Sequence, residues 1–229
     1  MKALDKLSEK DLGKIWIIFA LLCLFLSGAI ALVITFAKLP LLSDSFKDID
    51  LIRWILVIHV NLATLMWFTA FPLGLIYFKT VINKKINLYQ YISLIISVIG
   101  VLLVITTLPT SDLNIYMSNY IPVLSSNQFL AGLVFYLLGT GMSYILSPVF
   151  KNRNLGPLVG SVYFILALVT LMFAFNDLYF NAENFRLDYY EKLMWGFGHL
   201  LQHSSSAFAF FAGSFYLKKY SQKSIYLQL

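Results

Sequence analysis

The chain has 229 residues, 59% hydrophobic and 12% charged, with a mean hydropathy of +0.78 and a net charge of +6. That balance excludes a water-soluble globular domain, which carries about twice the charge. The bases form no stripe interleaved with aromatics outside the apolar runs, so the positive charge points to no nucleic acid.

Six stretches approach or exceed the ~20 residues that carry a helix across a ~30 Å hydrocarbon core. They are residues 15–37, 53–78, 91–108, 128–146, 158–175 and 189–217. The expectation is an all-α, six-span polytopic membrane protein forming one domain over residues 1–229, with no soluble domain. The first run follows a long charged lead and has no small-residue cleavage site after it, so it reads as a retained helix, not a signal peptide. It holds the only cysteine, Cys23, which leaves neither a disulfide nor a cysteine metal site.

Charge sets the expected orientation, because Lys and Arg collect on the cytoplasmic side. Twelve bases fall on one side: Lys2, Lys6, Lys10, Lys14, Lys79, Lys84, Lys85, Lys151, Arg153, Lys218, Lys219 and Lys223. Five fall on the other (Lys38, Lys47, Arg53, Arg186, Lys192), with most of the loop acids: Asp44, Asp48, Asp50, Asp112, Asp177, Glu183 and Asp188. Both termini are therefore expected inside.

The connection over residues 109–127 has no Lys or Arg and contains Tyr116, Tyr120 and Pro122, which suggests an ordered outer loop at the interface. Gly132, Gly139 and Gly141 in the fourth span and Ser204, Ser205 and Ser206 in the sixth read as helix-contact residues. Pro72 should kink the second span.

All three histidines fall in apolar segments: His59 in span two, His199 and His203 in span six. An ionisable group in hydrocarbon is costly and marks a functional site by default, and neutral imidazole ligates haem iron and copper. His59 follows Arg53 by six residues and His199 follows Lys192 by seven. Both imidazoles are then expected about 9–11 Å inside the outer boundary, at one level. His203 lies one turn deeper. A lone membrane histidine is usually a hydrogen-bonded packing residue; three, with none in a loop, favour haem or metal ligation.

Span two reads His59-Val60-Asn61-Leu62, with Arg53 before it, Trp67 mid-helix and Tyr77 near the inner end, and span six reads Trp195-Gly196-Phe197-Gly198-His199. In this order the pair resembles helices two and six of haem–copper oxidase subunit I, above all its nitric-oxide-reductase and C-type branches. The resemblance implies His59 as axial ligand of a low-spin haem (b-type or a-type) and His199 as ligand of a non-haem copper or iron. Arg53 would be a propionate contact or an interfacial cation, and His203 a hydrogen-bonding neighbour or alternative ligand. Also implied are oxygen or nitric oxide reduction, cytochrome c or quinol as electron donor, other oxidase subunits as partners, and the bacterial inner membrane as location.

The family's subunit has twelve or more spans, and its remaining ligands lie on helices seven and ten. This chain matches the first half, so a second half, absent or carried by another chain, is needed for a full metal centre. Where many relatives read Pro-Glu-Val-Tyr after the sixth-helix histidine, this chain reads Leu200-Leu201-Gln202-His203, and residues 79–87 hold no aspartate. Both departures weigh against a proton pump and indicate a divergent member. Whether the chain is itself an enzyme stays open. The rivals are a bis-histidine b-haem electron carrier or membrane anchor, using His59 with His199 or His203, and a non-catalytic membrane protein without cofactors.

Reporter fusions after Lys85 and Lys219 should read cytoplasm and one after Tyr120 the outer side. The reverse pattern would overturn the orientation and the shared level of His59 and His199.

Overall fold

The structure is a computed structural model describing residues 8–39, 49–80, 86–110, 113–152, 155–181 and 187–226; side chains at 80, 151–152, 179–181, 187–188 and 215–226 are not described. Of the charges that set the expected orientation, Lys2, Lys6, Lys47, Lys84, Lys85, Arg153, Arg186, Asp44, Asp48, Asp112 and Glu183 lie outside the described residues.

The chain is all-helical apart from one short hairpin. The helices are α1 (Glu9–Ala37), α2 (Ile49–Val60), α3 (Trp67–Thr80), α4 (Leu88–Ile105), α5 (Asn127–Leu146), α6 (Val149–Asn152), α7 (Leu155–Asn181) and α8 (Leu187–Tyr226). A π-helical turn, Asn61–Met66, joins α2 to α3, so Ile49–Lys79 forms one continuous rod. Among the described residues, five helices are long and apolar enough to cross a membrane: α1, this rod, α4, α5 and α7. Helical packaging is what hydrocarbon demands, since a backbone N–H or C=O has no other partner there. The sixth expected span, residues 189–217, lies within α8, whose 40 residues extend it at both ends.

Local sequence sets the ends. Ser8 and Asp11 form a capping box, with Asp11 N donating to Ser8 Oγ (3.2 Å), so α1 begins six residues before the expected span. Asn87 and Gln90 do the same for α4, the Asn87 N–H donating to Gln90 Oε1 (2.8 Å), and start it three residues early. Pro72 lies inside α3, yet the irregular turn precedes it at Asn61–Met66. The hydrophobic pattern carried no signal for that displacement.

The helices pair in sequence order: α1 on the α2–α3 rod, α4 on α5, and α7 on α8. Small residues allow the approach. A Cβ on Gly132 would lie 2.9 Å from Gly100 O, and one on Gly13 3.0 Å from Gly74 O. Ser204 Oγ donates to Gly160 O across α7 and α8 (2.8 Å), which places Ser204 at the helix contact its sequence suggested. Buried tyrosines join α3 to α5: Tyr77 Oη donates to Ser143 O (3.0 Å), Tyr136 Oη to Met66 O (2.7 Å) and Tyr144 Oη to Thr69 O (2.9 Å). Each satisfies a phenol that hydrocarbon could not.

The loop over residues 109–127, expected to be ordered, contains a hairpin. Strands β1 (Ile115–Tyr116) and β2 (Val123–Leu124) pair antiparallel, with Ile115 opposite Leu124 and Tyr116 opposite Val123. The turn between them is the part of the fold that reaches the histidine helices.

Gly132→Val should force α4 from α5 and lower stability by about 1–3 kcal/mol. Gly28→Ala should be neutral or slightly stabilising, because nothing lies within 4 Å of a Cβ there. Thermal unfolding in detergent distinguishes them; equal melting points would mean that the Gly100–Gly132 approach does not hold the pair together.

Candidate functional site

His59 sits on the last turn of α2, directly before the π-helical turn, and packs against α1. Its Nδ1 lies 2.9 Å from Ser27 O and 2.9 Å from Ser27 Oγ, and Ser27 Oγ donates to His59 O at 3.1 Å. A carbonyl only accepts, so Nδ1 carries the proton and Nε2 of the neutral ring carries the lone pair. Among the described residues, Nε2 has no hydrogen-bond partner. A ring nitrogen tied to a backbone carbonyl with the other left open is the arrangement of a ligating histidine. Ser27 is 1% exposed, and it is a site residue the sequence did not disclose. Its only mark was its being one of two hydroxyls, with Thr35, inside an otherwise apolar run.

Asn61 begins the π-helical turn. It is fully buried, and its Nδ2 donates to Val57 O (2.9 Å) and Pro122 O (2.8 Å). Its Oδ1 is buried with no partner. Single π turns inside α-helices recur at functional sites, where they re-aim side chains. Here the turn places an asparagine against the hairpin two residues after the histidine.

His199 is engaged on both sides. Nδ1–H donates to Trp195 O one turn earlier (2.8 Å), and the Tyr120 hydroxyl donates to Nε2 (3.0 Å). The Tyr120 ring packs edge-on at 4.9 Å between centroids and lies on Gly198, where a Cβ would come within 2.7 Å of Tyr120 Cβ. The small residue before the histidine thus admits a tyrosine. Tyr120 has φ 70°, a left-handed conformation unfavourable for an aromatic residue.

His203 occupies a different environment. It is exposed, and its nearest ring is Tyr163 of α7, with centroids 5.5 Å apart. The one-turn offset does not give it the surroundings of His199. Arg53 is exposed too, with Nη1 3.5 Å from Asp50 Oδ1.

No hydrogen bond or ring contact among the described residues joins any two of the histidines, and no group of three or more His, Cys, Asp or Glu side chains is close enough to hold a metal. The turn between the β-strands instead connects their helices. It meets the α2–α3 rod through Pro122 O on Asn61 and Tyr120 O near Thr64 Oγ1 (3.5 Å). It meets α8 through Tyr120 on His199 and Asn119 Nδ2 on Glu191 Oε1 (2.6 Å).

The donor set therefore fits its proposed groups unequally. His59 offers an open Nε2 and fits an axial haem ligand. His199 fits a metal only with Tyr120 displaced, and His203 has an exposed ring with no adjacent ligand among the described residues. A cleft of about 890 Å³ between α5, α7 and α8 is apolar and lined by none of the histidines, and a smaller one of about 240 Å³ beside α2 passes Trp54, Ile58 and Leu62.

No model of a known protein family matches the chain, and no solved structure matches it. It is similar to an uncharacterized protein of Rickettsia prowazekii (strain Madrid E), 24% identical over 238 aligned positions, covering 88% of this chain and 46% of that protein. The chain thus spans about half the length of the curated relative it matches.

Asn61→Ala leaves Pro122 O without its donor and should lower stability by about 1–3 kcal/mol. Amide exchange at residues 118–122 should quicken with it. A destabilised variant with unchanged exchange there would show that Asn61 supports its helix and not the turn.

Proposed function

We propose that this chain is a six-span membrane protein with both ends inside, working as the haem-binding half of an oxidase-like respiratory complex in a bacterial inner membrane. The observation that carries the reading is at His59. Its Nδ1–H is fixed on the Ser27 carbonyl and its Nε2 is open, within an apolar helix, where an imidazole with nothing to bind is costly. A bound haem would supply electron transfer there. The chain's own part is to hold the ring in one tautomer through Ser27, and to keep the surroundings apolar, which tunes the potential of what binds.

His199 would hold a non-haem copper or iron beside a haem, with the remaining ligands from a second helical half or a partner chain. The Rickettsia relative, about twice the matched length, has room for such a half. Electrons would come from cytochrome c or quinol, and oxygen or nitric oxide would accept them. A second reading is favoured by Tyr120 on His199 Nε2: with that nitrogen taken, the chain would carry electrons through a bis-histidine b haem, His59 with His203, and hold no second metal.

The test is haem b titrated into the purified full chain. Wild type should take up the haem and His59→Ala should lose that uptake while keeping its helicity; equal uptake by both would reduce His59 to a packing residue. Spin state and carbon monoxide then separate the readings. A high-spin haem that binds carbon monoxide favours a centre completed by a second half, and a low-spin haem that does not bind it favours the bis-histidine carrier.

A further inference from the structure

Opposite the face that α8 packs on α7, a second seam runs down the helix uncovered. Ser204 and Phe208 are buried against Gly160 of α7. Trp195, Gln202, Ser206, Ala209 and Gly213 are exposed, and a Cβ on Gly213 would meet nothing within 4 Å. With the half-buried His199 between the first two, these positions follow one another at alternating steps of four and three. That is the heptad spacing of a helix that pairs side by side with another. Gln202 is the residue that needs a partner. Counted from Lys192, it lies about 15 Å into the membrane, near the middle of a ~30 Å core. Neither its amide nor the Ser206 hydroxyl has a hydrogen bond among the described residues. The exposed hydroxyls of Thr35 and Thr170, by contrast, bond within their own helices to Ala31 O and Leu166 O. With this polar content, α8 is not among the five described helices apolar enough to cross a membrane on their own.

We propose that α8 pairs along this seam with α8 of a second copy of this chain, the Gln202 side chains of the two copies lying against each other at its centre. The proposal goes beyond the haem reading and uses no cofactor; it takes from that reading only that α8 crosses the membrane. Chemistry selects a second copy over other occupants. Lipid tails cannot satisfy an amide, so a bilayer surface would leave Gln202 unpaired. A primary amide both donates and accepts, so two copies of Gln202 satisfy each other with nothing supplied from elsewhere. No seam residue carries a charge, His199 being neutral, so nothing repels across the contact. The membrane fixes the rest. Copies of one protein share its orientation, which makes the two helices parallel and the contact two-fold, each residue facing its own counterpart. In such a pair a single polar residue on the seam sets register and copy number. Ala209 and Gly213 let the backbones close toward the inner end. His203 lies to one side of the seam, beside Tyr163, and takes no part.

Cysteine cross-linking of the full chain in the membrane tests this, in a Cys23→Ala background that removes the only native thiol. Under copper phenanthroline, Ser206→Cys and Ala209→Cys should each form a disulfide with the same position of a second copy. Facing positions of a parallel pair bring Cα atoms within the ~7 Å that a disulfide spans. Phe25→Cys, 72% exposed on α1, should not cross-link. Equal cross-linking at Phe25 would mean chance collision and overturns the proposal, as does no cross-link at either seam position in a chain that inserts. Cross-linking of Ser206→Cys to a different protein in place of its own copy overturns the second copy and gives the seam to that protein. Pairing strength is then read by energy transfer between labelled copies in detergent. Gln202→Leu should weaken it about threefold to thirtyfold, the loss expected for interhelical hydrogen bonds in a membrane, and Gln202→Asn should keep most of it. Equal pairing by wild type and Gln202→Leu overturns the amide contact on which the proposal stands. A reporter after Lys219 that reads the outer side overturns it at its premise, by showing that α8 does not cross, and so separates failure of the six-span reading from failure of the seam.

Discussion

The Asn61 amide is the point on which the arrangement of this chain turns. A helix in hydrocarbon satisfies its own backbone, so a widened turn within it needs compensation from side chains or a neighbour. Asn61 supplies both, with one donor to Val57 O in its own helix and one to Pro122 O in the hairpin. Thr64 and Thr69 add donors to Val60 O and Leu65 O at 2.8 Å. The irregular turn is thereby docked to the outer loop, and the loop carries Tyr120 to His199. The docking adds a link between the two histidine helices, which belong to separate helix pairs and otherwise meet where α3 packs on α8.

Helix pairing follows a different physical rule. Lipid tails are as apolar as leucine, so helices do not associate by hiding apolar surface from water; close approach and interhelical hydrogen bonds do the work. The Gly100–Gly132 approach, Ser204 on Gly160 and the tyrosine hydroxyls on α3 and α5 are this kind of contact. The Ser27–His59 exchange resembles them in form, because it too ties α1 to its neighbour. It differs in leaving a strong acceptor unused. Other buried side chains also leave a polar atom without a partner, Asn61 Oδ1 and the Trp16, Trp54 and Trp67 indole N–H among them, but His59 Nε2 is the one among these with the lone pair of a metal-ligating imidazole.

Residue runs of about twenty made the helices readable, because length and apolarity are local properties. Capping boxes at Ser8 and Asn87 moved boundaries that hydropathy alone placed too late. The π-helical turn was not legible, since Asn61–Met66 has no composition to separate it from the flanking turns, and Pro72 lies beyond it within α3. The histidines stood out as ionisable groups in apolar runs, but their partners did not. Ser27 precedes His59 by 32 residues and Tyr120 precedes His199 by 79. Nothing in a single sequence marks such pairs. The resemblance to haem–copper oxidases named Gly198 and His199 together, and the structure gives the glycine a definite occupant in the Tyr120 ring.

His199 and His203 show how little helical spacing decides. They are one turn apart on α8, yet one has both nitrogens engaged, Nδ1 by Trp195 O of its own helix and Nε2 by Tyr120 of the hairpin, and the other lies exposed beside Tyr163. An exposed imidazole in an apolar segment is as unfavourable as an open Nε2, and both conditions occur here, at His203 and at His59. Each is relieved by the same thing, a further polar or metal-bearing surface laid against the helices that carry them. The cost of an uncovered imidazole in an apolar segment is the physical ground for the proposed partner, apart from the resemblance.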